Sequence, residues 1–196
     1  MRHDARRNRE RILEAAQEVF GEQGAAGSTE EVARRADVGI ATVFRHFPTK
    51  ETLIEAALIR HFAELTTQAQ ALAAGPQSGM ALRTLVQVMV ETGATKITLA
   101  SLVNQGEELS DEVRAAAGDL RRVVEIVLRN AQEAEFAYPT VTVDELYLLI
   151  RGLAQASIAI PGAGNTLHRA IEIILTGIGA SERQTPQRAK PTTWLV

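Results

Sequence analysis

Apolar residues recur at helical spacing from the N-terminal end of the chain onward. Within residues 6–23, the positions that share one helix face are Ile12, Leu13, Ala16, Val19 and Phe20. Gly24 follows this segment directly. A glycine at this position commonly ends a helix, because it adopts the left-handed conformation without strain. The pattern therefore predicts a first helix over residues 6–23.

Start and stop signals divide the next fifty residues into three more helices. Residues 28–31 (Ser-Thr-Glu-Glu) have the form of a capping box and predict a short second helix. Asp-Val-Gly at 37–39 interrupts it, and a third helix of about two turns is expected over 40–47. Pro48 and Thr49 end the third helix, and Thr49 is placed to cap a long fourth helix over about 50–72.

The remaining chain continues as apolar segments with helical spacing beyond a Gly- and Pro-bearing linker at 74–79. Helices are expected at about 80–94, 97–104, 112–135, 144–159 and 166–178. Residues 136–143, which include Pro139 and the β-branched run 140–143, do not fit a helix. Residues 161–164 form a loop, and the polar tail 181–196 receives no fold assignment. The pattern predicts an all-α protein.

Composition favours helices and excludes several functions. Aromatic residues make up only 4 %, whereas strands prefer aromatic and β-branched residues. Cysteine is absent, so disulfides, thiolate metal sites and cysteine nucleophiles are excluded, as suits a cytoplasmic protein. No run approaches about 18 apolar residues, so no membrane partner is expected. The four histidines are scattered, and no metalloprotease motif, phosphate-binding glycine loop or nucleophile elbow occurs. We expect no catalytic residue, no metal and no cofactor.

Charge is distributed unevenly along the chain. Residues 1–50 hold 9 Lys and Arg against 8 Asp and Glu, whereas the rest holds 12 against 16, within a net charge of -3. Several arginines, among them Arg6 and Arg7, lie within the first eleven residues. Such a cluster is ordinarily a solvated helix end, but beside a DNA-binding segment it can reach the minor groove or the backbone.

Residues 27–53 have the pattern of a helix-turn-helix. Ala33 is small where two helices must cross closely, and Asp37 tolerates the left-handed conformation that a tight turn needs. The inward side of the second helix of this motif carries Val38, Val43 and Phe47. Its outward side carries Ile40, Ala41, Arg45 and Thr42. A helix of this kind enters the major groove of DNA, although a generic helical hairpin shows a similar pattern.

A longer series of residues resembles one known family. The residues that carry the resemblance are, in order, Arg9, Ile12, Leu13, Ala15, Ala16, Phe20, Gly24, Ser28, Val32, Ala33, Ala36, Val38, Thr42, Phe44, His46, Phe47, Lys50 and Leu53. This series resembles the DNA-binding domain of the tetracycline-repressor (TetR) family. The resemblance implies an N-terminal three-helix helix-turn-helix domain (1–50), a C-terminal helical domain for ligand binding and dimerisation (51–180), and a tail (181–196).

The resemblance also implies roles in DNA binding. Thr42, His46 and Lys50 are expected to bind phosphates, and Ile40, Ala41 and Arg45 to face base edges. The full set of DNA-binding candidates is Arg6, Arg7, Ser28, Ile40, Ala41, Thr42, Phe44, Arg45, His46 and Lys50. Three residues depart from the family pattern: Phe44 replaces a tyrosine and lacks its hydroxyl, Gly39 replaces a serine cap, and Ala41 replaces a frequent glycine.

Candidates in the C-terminal region rest on the same resemblance. Polar or adaptable side chains among apolar helices are candidate effector contacts: Met89, Thr92, Asn104, Gln105, Tyr147, Arg151 and Gln155. Two strongly apolar helices are a candidate dimer interface through Leu146, Leu149, Ile150, Leu153, Ser157, Leu167, Ile171, Ile174, Leu175 and Ile178. The alternative for the interface residues is burial within one chain. The alternative for the effector candidates is a solvated or capping role, and Arg151 could instead form an ion pair at an interface.

The resemblance implies a homodimeric repressor that binds a palindromic operator and is released by an unidentified small molecule. Its expected partners are double-stranded DNA, a second copy of the chain and that effector. The alternatives are a DNA-binding dimer or a protein-binding module without an effector, and an activator.

Overall fold

A computed structural model describes residues 2–103, 109–160 and 164–179. Within these ranges the chain is helical and contains no strand, so the all-α prediction is confirmed. The helices are α1 (Arg2–Gln23), α2 (Thr29–Arg35), α3 (Ile40–His46), α4 (Lys50–Ala73), α5 (Ser78–Glu91), α6 (Gly93–Val103), α7 (Asp111–Glu133), α8 (Val143–Ala159) and α9 (Gly164–Ile178), with a 3-10 turn at Gly24–Ala26.

The N-terminal helices pack around the apolar stripe of α1. Ile12, Ala16, Val19 and Phe20 are fully buried, and α1 contacts α2, α3 and α4. Gly24 has φ +56°, the left-handed conformation expected of a glycine that ends a helix. These contacts hold α2 and α3 against one side of α1.

The fourth helix packs against helices from both halves of the chain. Thr49 and Thr52 form a reciprocal capping box at its start, as the sequence predicts for Thr49. Its buried face runs from Leu53 to Ala69 and contacts α1, α5, α6 and α7. The Gln17 side chain of α1 donates a hydrogen bond to the Ala57 carbonyl at 3.2 Å. The helix therefore joins the N-terminal helices to the C-terminal ones.

The C-terminal helices form a layered bundle around α4 and α7. Gly93 of α6 lies so close to α8 that an added Cβ would be 2.5 Å from the Ala154 Cβ, so these helices cross tightly. Thr142 and Glu145 form the capping box of α8. The stretch that resists a helical pattern, 136–143, lies between α7 and α8 apart from its last residue, and Tyr138 N–H donates to the Ile178 carbonyl at 3.0 Å.

Several helix bounds differ from the sequence prediction. Helix α1 begins at Arg2 instead of residue 6, and α5 begins inside the predicted linker at Ser78. Only Thr92 separates α5 from α6, so the predicted interval at 95–96 was wrong. Backbone hydrogen bonds continue across this position, from Thr92 N–H to the Val88 carbonyl at 3.0 Å and from Lys96 N–H to the Thr92 carbonyl at 3.3 Å. Most of the predicted loop 161–164 and the tail 181–196 lie outside the described residues. No described helix combines the length and apolar character that crossing a membrane requires.

Candidate nucleic-acid interface

The turn between α2 and α3 is built by local signals. Ser28 accepts a hydrogen bond from the Glu31 backbone N–H at 3.1 Å and starts α2. Asp37 has φ +51°, which confirms the left-handed turn residue predicted from the sequence. Val38 N–H then donates to the Ala33 carbonyl at 3.1 Å, and α3 starts after Gly39, which provides no side-chain cap. Two short helices are thus joined by a tight turn.

The capping box predicted at residues 28–31 is only half formed. The Glu31 carboxylate does not return to the Ser28 backbone but binds Arg34 at 2.6 Å and Arg35 at 3.1 Å. Hydrogen bonds from these two guanidinium groups lower the pKa of Glu31 to about 2. That part of the prediction was wrong because two nearby arginines compete for the carboxylate.

Arg35 also attaches α2 to α1 through two carboxylates of α1. Its guanidinium lies 2.7 Å from Glu22 and 3.6 Å from Glu18 of α1. The Arg35 hydrogen bond lowers the pKa of Glu22. Because three carboxylates converge on one guanidinium, the network fixes orientation more than it adds stability at an exposed site. Its signal in the sequence, Glu18 and Glu22 one turn apart, was missed.

Helix α3 separates into a buried and an exposed side. Val43 and Phe47 are buried and Val38 is half-buried, in agreement with the predicted inward face. Ile40 is 37 % exposed and Phe44 is 44 % exposed. Ala41 and Arg45 are also exposed, and Thr42 and His46 are half-buried. The outward side thus carries two large apolar side chains one turn apart beside a cation.

The charged candidates around α3 differ in their present partners. Arg45 makes no ion pair within the described residues, and Arg6 and Arg7 are exposed on the first turns of α1. Lys50 instead donates to the Ala25 carbonyl at 3.0 Å and lies 5.4 Å from the Phe20 ring centroid. Its ammonium is turned toward the loop between α1 and α2, so contact with a phosphate requires that side chain to reorient.

Two sequence models of protein families match this chain. That of bacterial regulatory proteins of the tetR family matches residues 12–57, and that of the C-terminal domain of SbtR-like transcriptional regulators matches residues 77–180, more than half of the chain. The chain belongs to the TetR family. The matched proteins are regulators, which agrees with the expectation that this TetR-family chain is not an enzyme.

Individual relatives resemble this TetR-family chain to different extents. The uncharacterized HTH-type transcriptional regulator YvkB of Bacillus subtilis is 44% identical over 52 residues, which are 26% of this chain and 28% of that relative. A TetR regulatory protein from Mycobacterium vanbaalenii is 30% identical over 91% of this chain and 98% of its own, with a TM-score of 0.74. A TetR regulator from Streptomyces coelicolor is 26% identical over 88% and 99%, with a TM-score of 0.76.

The candidate effector residues of this TetR-family chain differ in burial and in their present contacts. Met89 is buried, and Tyr147 is half-buried beside two cations. Arg151 and Gln155 are exposed on α8. The Thr92 hydroxyl is used within its own helix. Asn104 and Gln105 lie outside the described residues.

The candidate interface residues divide into two groups. Leu146, Ile150, Ile171, Leu175 and Ile178 are buried within the single chain. Leu149, Leu153, Ser157, Leu167 and Ile174 are half-buried. Sequence reasoning missed the side chains that are most exposed, Leu148 at 72% and Ile173 at 66%.

Two basic side chains between α4 and α6 were also missed: His61, which is buried, and Lys96, which is half-buried. His61 is 6% exposed, and its Nε2 has no hydrogen-bond partner among the described residues. Lys96 of α6 has its Nζ 5.4 Å from the Phe62 ring centroid and 5.9 Å from that of Tyr147. The available signals were a histidine within the apolar stripe of α4 and a single charge in the apolar segment 93–103.

Proposed function

We propose that this chain is a dimeric transcriptional repressor whose α3 reads a palindromic operator and whose release follows binding of a small molecule. The observation that carries the DNA-binding part is the outward side of α3. Ile40 and Phe44 are exposed there one helical turn apart, next to Arg45. Apolar side chains contact thymine methyl groups in the major groove, and arginine pairs with guanine O6 and N7.

Contacts to the phosphate backbone of the DNA would fix the register of α3 in the major groove. Thr42 and His46 are half-buried at the edge of its outward side. Lys50 stands in the first turn of α4, where unpaired N–H groups also favour an anion. On binding, its ammonium would exchange the Ala25 carbonyl for a phosphate oxygen, and Arg6 with its neighbours would extend the contact beyond the groove.

Dimerisation is proposed through the outer faces of α8 and α9. Leu148 and Ile173 are the most exposed large apolar side chains in the described chain. On the same exposed faces, a Cβ added to Gly152 or Gly177 would meet nothing within 4 Å. Small residues allow close helix approach, and an exposed apolar face of this kind is typical of an interface. The buried residues Leu146 and Ile171 would support this face from within the protomer.

A symmetric dimer suits the DNA that such a protein would read. Two recognition helices bind successive major grooves when they are about 34–36 Å apart, or a multiple of that, and a pseudo-palindromic site then matches the two-fold axis. Cytoplasmic location and the repressor's sign of regulation belong to the same proposal.

The proposal is tested by selecting binding sites from random double-stranded DNA with the full-length protein. We expect enrichment of an inverted repeat whose half-site centres are about 10–10.5 base pairs, or a multiple, apart. Footprinting should show protection on one face of the duplex. The Phe44→Ala variant should select a weaker or altered half-site, whereas Phe136→Ala, a change at another exposed phenylalanine between α7 and α8, should not. Absence of an enriched inverted repeat contradicts the proposal.

A further inference from the structure

Lys96 is a half-buried cation that lies in the packing between α4, α6 and α8. It is the only charged residue of α6, and its ammonium lies between the aromatic rings of Phe62 and Tyr147. Burial lowers the pKa of Lys96, and the charged neighbour that acts on it is Arg151, a like charge. Among the described residues no carboxylate pairs with this ammonium.

His61 adds an unsatisfied polar atom from the neighbouring helix α4. Its Nε2 is fully buried without a partner in the described chain. Burial lowers the pKa of His61, and the nearby Lys96 charge acts in the same direction. Glu64 acts in the opposite direction, but its carboxylate is bound by Arg60 at 2.6 Å. A neutral imidazole therefore stands beside a cation with one ring nitrogen unused.

Two acidic side chains on α4 and α8, Glu64 and Asp144, are each bound by an arginine. Tyr147 of α8 lies between Lys96 and Arg121, whose guanidinium carbon is 5.7 Å from the Tyr147 ring centroid. Arg121 is paired with Asp144 at 2.7 Å. Burial raises the pKa of Tyr147 to about 12, so its hydroxyl stays neutral and adds no negative charge.

We propose that the effector is a small organic acid, bound as its carboxylate between α4, α6 and α8 by Lys96 and His61; this rests on the proposed release by a ligand. The carboxylate pairs with the Lys96 ammonium and accepts a hydrogen bond from His61 in the tautomer that is protonated at Nε2. The rings of Phe62 and Tyr147 cover its apolar part. A cationic ligand would be repelled, and a neutral one would leave the lysine charge uncompensated.

A first test needs no ligand. Lys96→Met removes a half-buried charge that contacts the Phe62 and Tyr147 rings but has no carboxylate partner among the described residues, so the Tm of the ligand-free protein should change by only a few degrees. Arg129→Met, which removes an exposed cation of α7, is the matched control. A Tm about 10 °C or more below that of the control, as when one partner of a buried ion pair is removed, shows that Lys96 has a carboxylate partner and overturns the proposal.

The second test measures binding of matched acids and amides to the full-length protein. The probes are benzoate, phenylacetate, 4-hydroxybenzoate and octanoate with their uncharged amides, at constant ionic strength. We expect at least one acid to raise the Tm more than its amide. In calorimetry, Lys96→Met and His61→Leu should each reduce the affinity for that acid about tenfold or more, because each removes a hydrogen bond to a charged group. Arg129→Met should leave this affinity unchanged.

The outcomes of these tests distinguish the anion site from the proposed repressor function. If no acid stabilises the protein more than its amide, or Lys96→Met binds the acid as wild type does, the anion site is overturned. If an uncharged compound releases the selected operator DNA instead, the repressor proposal stands without the anion site. If the acid binds through Lys96 but leaves operator affinity unchanged, the site stands and release by this ligand is wrong.

Discussion

The Arg11 side chain ties the first helix to Asp37 in the turn of the helix-turn-helix. Its Nη2 lies 3.0 Å from the Asp37 carboxylate and 3.2 Å from the Asp37 carbonyl oxygen. Asp37 therefore has two separable roles, since it adopts a left-handed backbone conformation and also pairs with α1. The turn angle between α2 and α3 depends on the first role, and the seating of that turn on α1 on the second.

Substitution at Asp37 should distinguish these roles. Asp37→Val places a β-branched residue at φ +51° and should lower the free energy of unfolding by about 1–2 kcal/mol. Asp37→Gly loses only the exposed ion pair, which is worth about 0–1 kcal/mol, and relieves the backbone cost. Urea unfolding of both variants measures the difference. Equal stability of the two variants would show that the left-handed conformation carries no cost here.

Arg45 and Lys50 should affect DNA binding in different ways. Arg45→Ala should cost about 1–3 kcal/mol on the selected operator and relax preference at one base pair, because a base contact is lost. Lys50→Ala should weaken specific and random DNA alike and reduce the salt dependence by about one phosphate contact. Fluorescence anisotropy at several salt concentrations measures both.

Thermal unfolding of each variant provides the control for that experiment, because Lys50→Ala also removes the hydrogen bond to the Ala25 carbonyl. Arg129→Ala, remote from α3 on α7, should leave affinity unchanged. If both changes weaken operator and random DNA by the same factor, the division between base and phosphate contacts is incorrect.

The helix-turn-helix was predictable because local interactions define it. Thr49 caps α4, Gly24 and Asp37 take left-handed conformations, and spacing alone places Val43 inward. Spacing also identifies an apolar face on α8 and α9, but it does not say which neighbour covers that face. Ile171 accordingly proved to be buried within its own chain.

The interior polar cluster was not predictable for a related reason. His61 and Lys96 are far apart in sequence, and only the packing of α4 on α6 brings the imidazole within reach of the lysine charge. The partner of Lys50 is likewise tertiary, since the Ala25 carbonyl belongs to the loop before α2. Periodicity carries no information on such long-range contacts.

A charge on the exposed face of α9 should separate the proposed dimer without unfolding the protomer. Ile173 is 66% exposed, so Ile173→Asp should leave the Tm of the protomer nearly unchanged and convert dimer to monomer in sedimentation equilibrium. Ile126→Asp on α7, where the side chain is 43% exposed, is the control and should remain dimeric. Ile171→Asp should instead unfold the chain, because that side chain is buried. A dimeric Ile173→Asp variant would place the interface elsewhere.

The buried imidazole should make stability depend on pH. Burial lowers the pKa of His61 in the folded state, so the unfolded chain binds the proton more readily, and stability falls as pH drops below about 6.5. His61→Leu should remove this contribution, which is at most about 1.4 kcal/mol per pH unit. Its stability relative to wild type should thus increase from pH 7.5 to pH 5.0 in urea unfolding. A constant difference between the two proteins would mean that His61 does not titrate differently on folding.

Helix α4 connects the proposed acid site with the DNA-binding helices. Helix α4 has 24 residues, about 36 Å at 1.5 Å per residue, and extends from its cap at Thr49 past His61. Its start follows α3 directly, and Gln17 holds it to α1. Because its buried face is continuous, a shift at His61 should move the helix as a rigid body and change the spacing of the two recognition helices.

A ligand shifts that spacing only if it binds the DNA-incompetent state more tightly. Bound operator DNA must then reduce the affinity of the protein for the ligand by the same factor, typically about 5–150-fold. Calorimetric titration of the acid that binds best, with and without saturating operator, measures this factor directly. The same ratio should appear when operator affinity is measured with and without saturating acid. Equal acid affinities in the presence and absence of operator would mean that occupation of the interior and DNA binding are independent, and that α4 does not couple them.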